Sequence, residues 1–154
     1  MGRIEKKLRE RDIALPTPSA PVANYVPYVA TGYLVFISGQ VSNAPGGLIK
    51  GKLGAGLSLE DGVAAARACA INLIAQLKAA TGGDLDRVKR VVKLVGFVNC
   101  APDFIDQPKV MNGASDLMVD IFGEAGRHAR AAVGAPSLPM GAAVEVDGVF
   151  EIAP

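Results

Sequence analysis

The sequence predicts an α+β fold: a mixed β-sheet with two helices packed on one face. Three observations lead there. Two segments with helical apolar spacing, residues 58–80 and 106–122, flank a long β-branched run at residues 88–100. Shorter strand-like segments precede the first helix and follow the second. The resulting order, β-β-(β)-α-β-α-β-β, makes two helix-bearing halves whose helices lie on the same side of the sheet. At 154 residues the chain suits one domain, which can bury about 70% of its unfolded surface without metal or disulfide staples.

Half of the residues are hydrophobic, aromatics are scarce and tryptophan is absent, so Ala, Val, Leu and Ile must fill the core. A formal net charge of +1 attracts neither nucleic acid nor an anionic membrane, and neither is expected as a partner. Cys69 and Cys100 show no CxxC or Cys/His ligand spacing, so both read as reduced thiols, and no metal or other cofactor is expected. The N-terminus is charged where a signal peptide needs an apolar run. No uninterrupted apolar span is long enough for a membrane helix, and Lys6 stands where a myristoylation signal wants Ser or Thr. A cytoplasmic location is the expectation.

Residues 3–12 carry Ile4 and Leu8 among charges, which predicts a short, mostly solvated helix ended by Pro16 and Pro18. Residues 25–29 and 33–37 are β-branched or aromatic around Thr31-Gly32, a hairpin whose first strand Pro27 confines to an edge. The glycines and Pro45 of residues 42–56 make loops, with one short edge strand around residues 48–50. A phosphate cradle there would need a Lys before the Ser or Thr that opens the helix, and Ser58 follows Leu57. Ser58 caps the first helix, with Asp61 in its first turn, and Thr81-Gly82-Gly83 ends it. In the long strand, alternation puts Val92, Leu94, Gly96 and Val98 on one face and Val91, Lys93, Val95, Phe97 and Asn99 on the other. Both faces are largely apolar, so something must cover the side away from the helices, most economically another subunit. Asp106 caps the second helix, whose buried stripe is Val110, Met111, Ala114, Leu117, Met118, Ile121 and Phe122.

Residues 128–152 then read as two strands of a hairpin joined by a Pro-rich connector. On that reading Arg130 and Glu145 sit on facing strands, with Asp147 and Val149 on the same face as Glu145. They are either a candidate site or two charges facing water. His128, the one histidine, has no Ser or Cys nucleophile at a recognisable spacing. It reads as a packing or hydrogen-bonding residue that helps to set Arg130.

Several short motifs fall in a telling order: Ser38-Gly39-Gln40 after the first hairpin, the Ala-rich first helix, residues 92–99, Asn112 in the second helix, and Ala129-Arg130 with Val144-Glu145-Val146. Together they resemble the Rid (reactive intermediate deaminase) or YjgF family, some of whose members have carried the label L-PSP endoribonuclease. The likeness covers nearly all of the chain after residue 20. Residues 1–19 form an N-terminal helical extension, and residues 20–154 a single YjgF/Rid-like domain. That extension and residues 106–113 are similar to a Rid-like subgroup rather than to the founding deaminases.

The resemblance implies a chorismate-mutase-like fold assembled as a homotrimer, with clefts between neighbouring subunits. It implies that Arg130 holds a substrate carboxylate and that Glu145 places or activates water, with Tyr25, Ser38, Gly39 and Asn112 lining the cleft. The implied activity is metal-free hydrolytic deamination of small 2-imino or 2-enamino acids to 2-keto acids and ammonia. Founding members have Ser and Cys where this chain has Ala131 and Ala132, which removes a hydroxyl and a thiol from the site. A second reading is therefore a non-catalytic trimer, regulatory or binding small carboxylates such as keto acids. A third, endoribonuclease activity, is opposed by the near-zero net charge and the lack of an aromatic-basic platform.

Overall fold

A computed structural model describes residues 1–18 and 23–154. The first helix, α1 (Arg3–Glu10), is followed by β1 (Tyr28–Thr31), β2 (Leu34–Val41), a miniature hairpin of β3 (Asn43–Ala44) and β4 (Gly47–Leu48), and α2 (Leu59–Ala80). Then come β5 (Val88–Asn99), α3 (Gln107–Phe122), β6 (Ala129–Ala135) and β7 (Val144–Ile152). Five strands form one mixed sheet in the order β1-β2-β7-β5-β6, and α2 and α3 pack together on one face of it. The boundary expected between residues 19 and 20 lies outside the described residues.

The C-terminal hairpin expected from the sequence is not there. β6 pairs in parallel with β5, whereas β7 pairs antiparallel with both β2 and β5, so β5 separates the two segments. The cause is the helix between β5 and β6. A strand-helix-strand crossover returns the chain parallel to its starting strand, and that constraint overrides the proximity of two apolar segments in sequence. β7 then fills the gap between β2 and β5 and pairs along both edges.

The first hairpin forms three residues later than expected, because the backbone at residues 25–27 precedes the ladder; β1 is the sheet edge, as expected, although Pro27 itself lies outside the strand. In β5 the strict alternation fails. Register shifts between Val88 and Arg90 and between Val91 and Lys93 turn Val91 toward the helices with Leu94, Gly96 and Val98, and leave Val92 exposed. The loop strand expected at residues 48–50 is the β3–β4 hairpin followed by a single bridge from Lys50 to Ala142. Lys52 ties this glycine-rich region to the sheet, its Nζ donating to Asn99 Oδ1 at 2.7 Å and to the Pro136 carbonyl.

Both long helices form where periodicity places them. Ser58 Oγ accepts the Asp61 N–H at 3.1 Å, a capping interaction that starts α2. By length and composition α2 could cross a membrane, but here it is the core helix, with Leu73, Ile74 and Leu77 fully buried. All seven residues expected in the stripe of α3 are buried. Asp106 precedes α3 without a side-chain capping bond, since its backbone is not in the extended conformation that aims the carboxylate at the first turn. At Gly113 a Cβ would meet the Val63 backbone, so glycine allows α2 and α3 their close approach.

The helix α1 is docked rather than solvated along its apolar side: Ile4 and Leu8 are buried with the main core. Burying two aliphatic side chains stabilises by about 3–6 kcal/mol, whereas exposed ion pairs such as Lys78–Glu5 contribute at most about 1 kcal/mol. Its N-terminus is capped from a distance. Asp86 accepts the Arg3 and Ile4 N–H groups at 2.8 and 2.9 Å, and these bonds hold its carboxyl below the usual range. Asp86→Ala is expected to lower stability by about 1 kcal/mol, a loss of a few degrees in Tm by thermal melting. Because the folded-state pKa is depressed, wild type should lose that contribution as pH falls through it, and the two proteins should converge in acid.

Candidate functional site

Arg130 opens the edge strand β6. Its register partner is Leu94, which lies under the helices, and its guanidinium reaches α3. Nη1 donates to Asn112 Oδ1 at 2.9 Å and to Ser115 Oγ at 3.2 Å. Both hydrogens of that nitrogen are thereby used. Among the described residues Nε and Nη2 have no protein partner, so the side edge of the guanidinium, two parallel donors, is left to accept an anion. Ser115 was not expected from the sequence. The signal was its spacing, three residues after Asn112 and therefore on the same face of α3.

His128, two residues before Arg130, continues the chain of contacts. Its Nδ1 lies 2.6 Å from the Gly126 carbonyl, and its Nε2 lies 2.9 Å from Ser115 Oγ. The expectation that His128 helps to set Arg130 thus has a physical route, through the Ser115 hydroxyl.

Glu145 sits elsewhere. It pairs in register with Phe97 and Val41 on β7, whose buried residues alternate with half-buried ones from Val144 to Ile152. Val144 and Val146 face the helices, so Glu145, Asp147 and Val149 face the opposite side of the sheet. Gly39 lies directly against Glu145: a Cβ there would fall 2.9 Å from the carboxylate carbon. A bulge between Ile37 and Gln40 brings Gly39 to that position, and the missing side chain leaves the acid room in the position it takes here. Burial first, and the charge of Asp147 second, push the Glu145 carboxyl above the usual range. Asp147 is also raised by burial, with Lys93 opposing.

The remaining expected residues are dispersed. Ser38 donates its hydroxyl to the Pro27 carbonyl at 3.0 Å, which fastens β2 to the segment before β1. Tyr25 is exposed in that same segment. Within one chain the structure therefore makes two groups, Arg130 with Asn112 and Ser115 on the helix-bearing side, and Glu145 with Gly39 on the open side. It does not bring them together, because Arg130 and Glu145 lie on different faces with β5 between their strands.

The open side of the sheet is apolar around its acids. Val29, Phe36 and Val133 are 45% exposed or more, a large amount of apolar surface for one sheet face. A cavity of about 640 Å³ lies away from both groups, between residues 12–18, α2 and the β3–β4 hairpin; Gln40 alone borders it from the Ser-Gly-Gln motif. Among the described residues no cluster of three or more His, Cys, Asp or Glu could hold a metal ion. Cys69 and Cys100 are free and buried; burial first, and the charge of Glu145 second, push the Cys69 thiol up and keep it protonated.

Comparison with known proteins gives the family of the chain. The chain is 54% identical over 153 residues to Protein TCP17 of Trypanosoma cruzi, covering 98% of this chain and 95% of that protein. It is 45% identical to the crystal structure of Atu1372 from Agrobacterium tumefaciens, described as of unknown function, with a TM-score of 0.90 and coverage of 97% of this chain and 94% of that one. It is 29% identical to RidA from the Antarctic bacterium Psychrobacter, with a TM-score of 0.59 and coverage of 88% of this chain and 94% of that one. Residues 5–151 match the family described as YjgF/chorismate mutase-like, which carries a provisional endoribonuclease label. The mixed sheet with its helices on one face is the fold of that family, and this chain belongs to it.

Proposed function

We propose that this protein hydrolyses small 2-imino or 2-enamino acids to 2-keto acids and ammonia, in clefts completed between copies of the chain. The observation that carries this reading is the state of Arg130. Its Nη1 is engaged by Asn112 and Ser115, and its Nε–Nη2 edge is open as a planar fork of the shape that a carboxylate accepts. Glu145 supplies the complementary chemistry. A half-buried carboxyl with a raised pKa is closer to the pH at which it can both take and return a proton.

The imine tautomer of the substrate reacts in two steps. Glu145 takes a proton from water as the water oxygen bonds to the imine carbon, and returns that proton to the former imine nitrogen, which leaves the carboxylate ionised again. The resulting carbinolamine expels ammonia, the carbon–oxygen bond becomes a carbonyl, and a proton from the hydroxyl completes the balance. Arg130 holds the carboxylate throughout, which fixes the imine carbon against the water. No cofactor is required.

Because Arg130 and Glu145 occupy opposite faces of one sheet, a shared cleft needs the acid of a second copy. The apolar open face, with Phe36, Val29 and Val133, gives that copy a surface to cover, and a closed homotrimer satisfies both demands. Two measurements test this reading. Light scattering should give three times the chain mass; a monomer would remove the cleft. A pyridoxal-phosphate dehydratase should generate the imine in situ, and this protein should accelerate keto-acid formation over the rate in buffer. Binding of keto acid without acceleration would favour the ligand-binding reading, which the loss of side-chain chemistry at Ala131 and Ala132 motivates.

A further inference from the structure

We infer that Ser115 and His128 are positioning residues that decide which edge of Arg130 meets the ligand, an inference that rests on Arg130 being the carboxylate-binding residue. The proton inventory of the contacts fixes their directions. The Gly126 carbonyl can only accept, so His128 Nδ1 carries the hydrogen in that 2.6 Å bond. In the neutral imidazole Nε2 is then an acceptor, and the group 2.9 Å away, Ser115 Oγ, donates its one hydrogen to it. With its hydrogen committed, the Ser115 oxygen presents lone pairs to Arg130 Nη1 at 3.2 Å. Each link orients the next: backbone carbonyl, imidazole, hydroxyl, guanidinium.

The consequence concerns geometry at the ligand. A guanidinium has two edges able to form a fork, Nη1–Nη2 and Nε–Nη2. Ser115 and Asn112 together occupy both hydrogens of Nη1 and leave only the Nε–Nη2 edge. Asn112 alone takes one of those hydrogens and leaves the guanidinium free to swing about that single bond. Ser115, on the same helical face one turn along, supplies the second contact that stops the swing. The arrangement selects a planar, two-oxygen ligand and disfavours a carboxamide, which offers one acceptor.

Ser115→Ala tests the inference, since alanine suits a helix interior and removes only the hydroxyl. Pyruvate and 2-oxobutyrate serve as probes in calorimetry, with the corresponding carboxamides as controls. The expected result is about tenfold weaker carboxylate binding, the loss of one hydrogen bond to a charged group, with carboxamide binding unchanged. Where the imine assay gives turnover, KM should rise by a similar factor with kcat little altered. His128→Gln should weaken binding in the same direction, and Ser115→Thr, which retains the hydroxyl, should recover most of the loss. If Arg130→Ala binds carboxylates as wild type does, the underlying assignment of Arg130 fails. If Arg130→Ala loses binding while Ser115→Ala and His128→Gln retain wild-type affinity and discrimination, only the positioning role is overturned.

Discussion

Arg130→Ala is expected to reduce affinity for 2-keto acids, and kcat/KM for imines, by between about 30-fold and several thousand-fold. That range corresponds to the 2–5 kcal/mol lost when one partner of a desolvated, hydrogen-bonded charge pair is truncated. The effect is large because the groups that contact Arg130 cannot replace its fork. Asn112 and Ser115 face Nη1 and offer no second cation, and His128 is engaged with Ser115 and the Gly126 carbonyl. Arg130→Lys should recover only part of the loss: an ammonium keeps the charge but cannot place two parallel donors in one plane. Isothermal titration with pyruvate, run beside thermal melting to confirm that the variants fold, decides the matter. Equal affinity in wild type and Arg130→Ala would remove the carboxylate assignment and the deaminase reading with it.

The fate of the C-terminal stretch shows how far the sequence reaches. Both strands of that stretch were legible, because β7 opens on the alternation Val144-Glu145-Val146-Asp147 and β6 is short and, apart from Arg130, made of small and apolar residues. Their pairing was not. Two apolar segments joined by Leu138-Pro139-Met140-Gly141 look like a hairpin, yet that connector makes a tight turn with Met140 and Gly141 at positive φ and carries the chain past β5 instead of back along β6. The competing signal was present in the order of elements, since a strand, a helix and a strand in succession favour a parallel pair. Local alternation fixes which face a residue takes, but not which strand lies beside it. Val91 shows the complementary failure: a bulge changes the face without leaving a mark in composition.

The candidate site divides along the same line. Arg130, Glu145, Gly39 and Asn112 are legible by motif, and the structure sets Arg130 against Asn112 and Gly39 against Glu145. The facing-strand geometry that first joined Arg130 to Glu145 does not exist in a single chain. Ser115 escaped notice because its one signal, a spacing of three residues from Asn112, gains meaning only when the fold brings His128 and Arg130 to it. Tertiary proximity of that kind has no local periodicity to betray it.

Glu145→Gln should separate binding from turnover. The amide keeps the size and the place beside Gly39 but cannot take a proton from water, so imine hydrolysis should fall by about 10²–10⁴-fold while keto-acid affinity stays within a few-fold of wild type. The pH dependence adds an independent check. A general base must be ionised, and Glu145 has a raised pKa, first from burial and then from the charge of Asp147. The acid limb of kcat should therefore lie above the ordinary glutamate value of about 4.3, with activity lost as pH falls through it. Removing the neighbouring charge with Asp147→Asn lowers the Glu145 pKa, so the limb should move to lower pH, and part of the displacement should remain because burial is the larger cause. Stability runs the other way. Acids with raised folded-state pKa values bind more protons folded than unfolded, so their contribution is lost as pH rises from the unfolded value through the folded one, and Glu145→Gln should relieve that loss. An acid limb that stays in place in Asp147→Asn, or a Glu145→Gln variant that turns over as wild type does, would assign the water to another group.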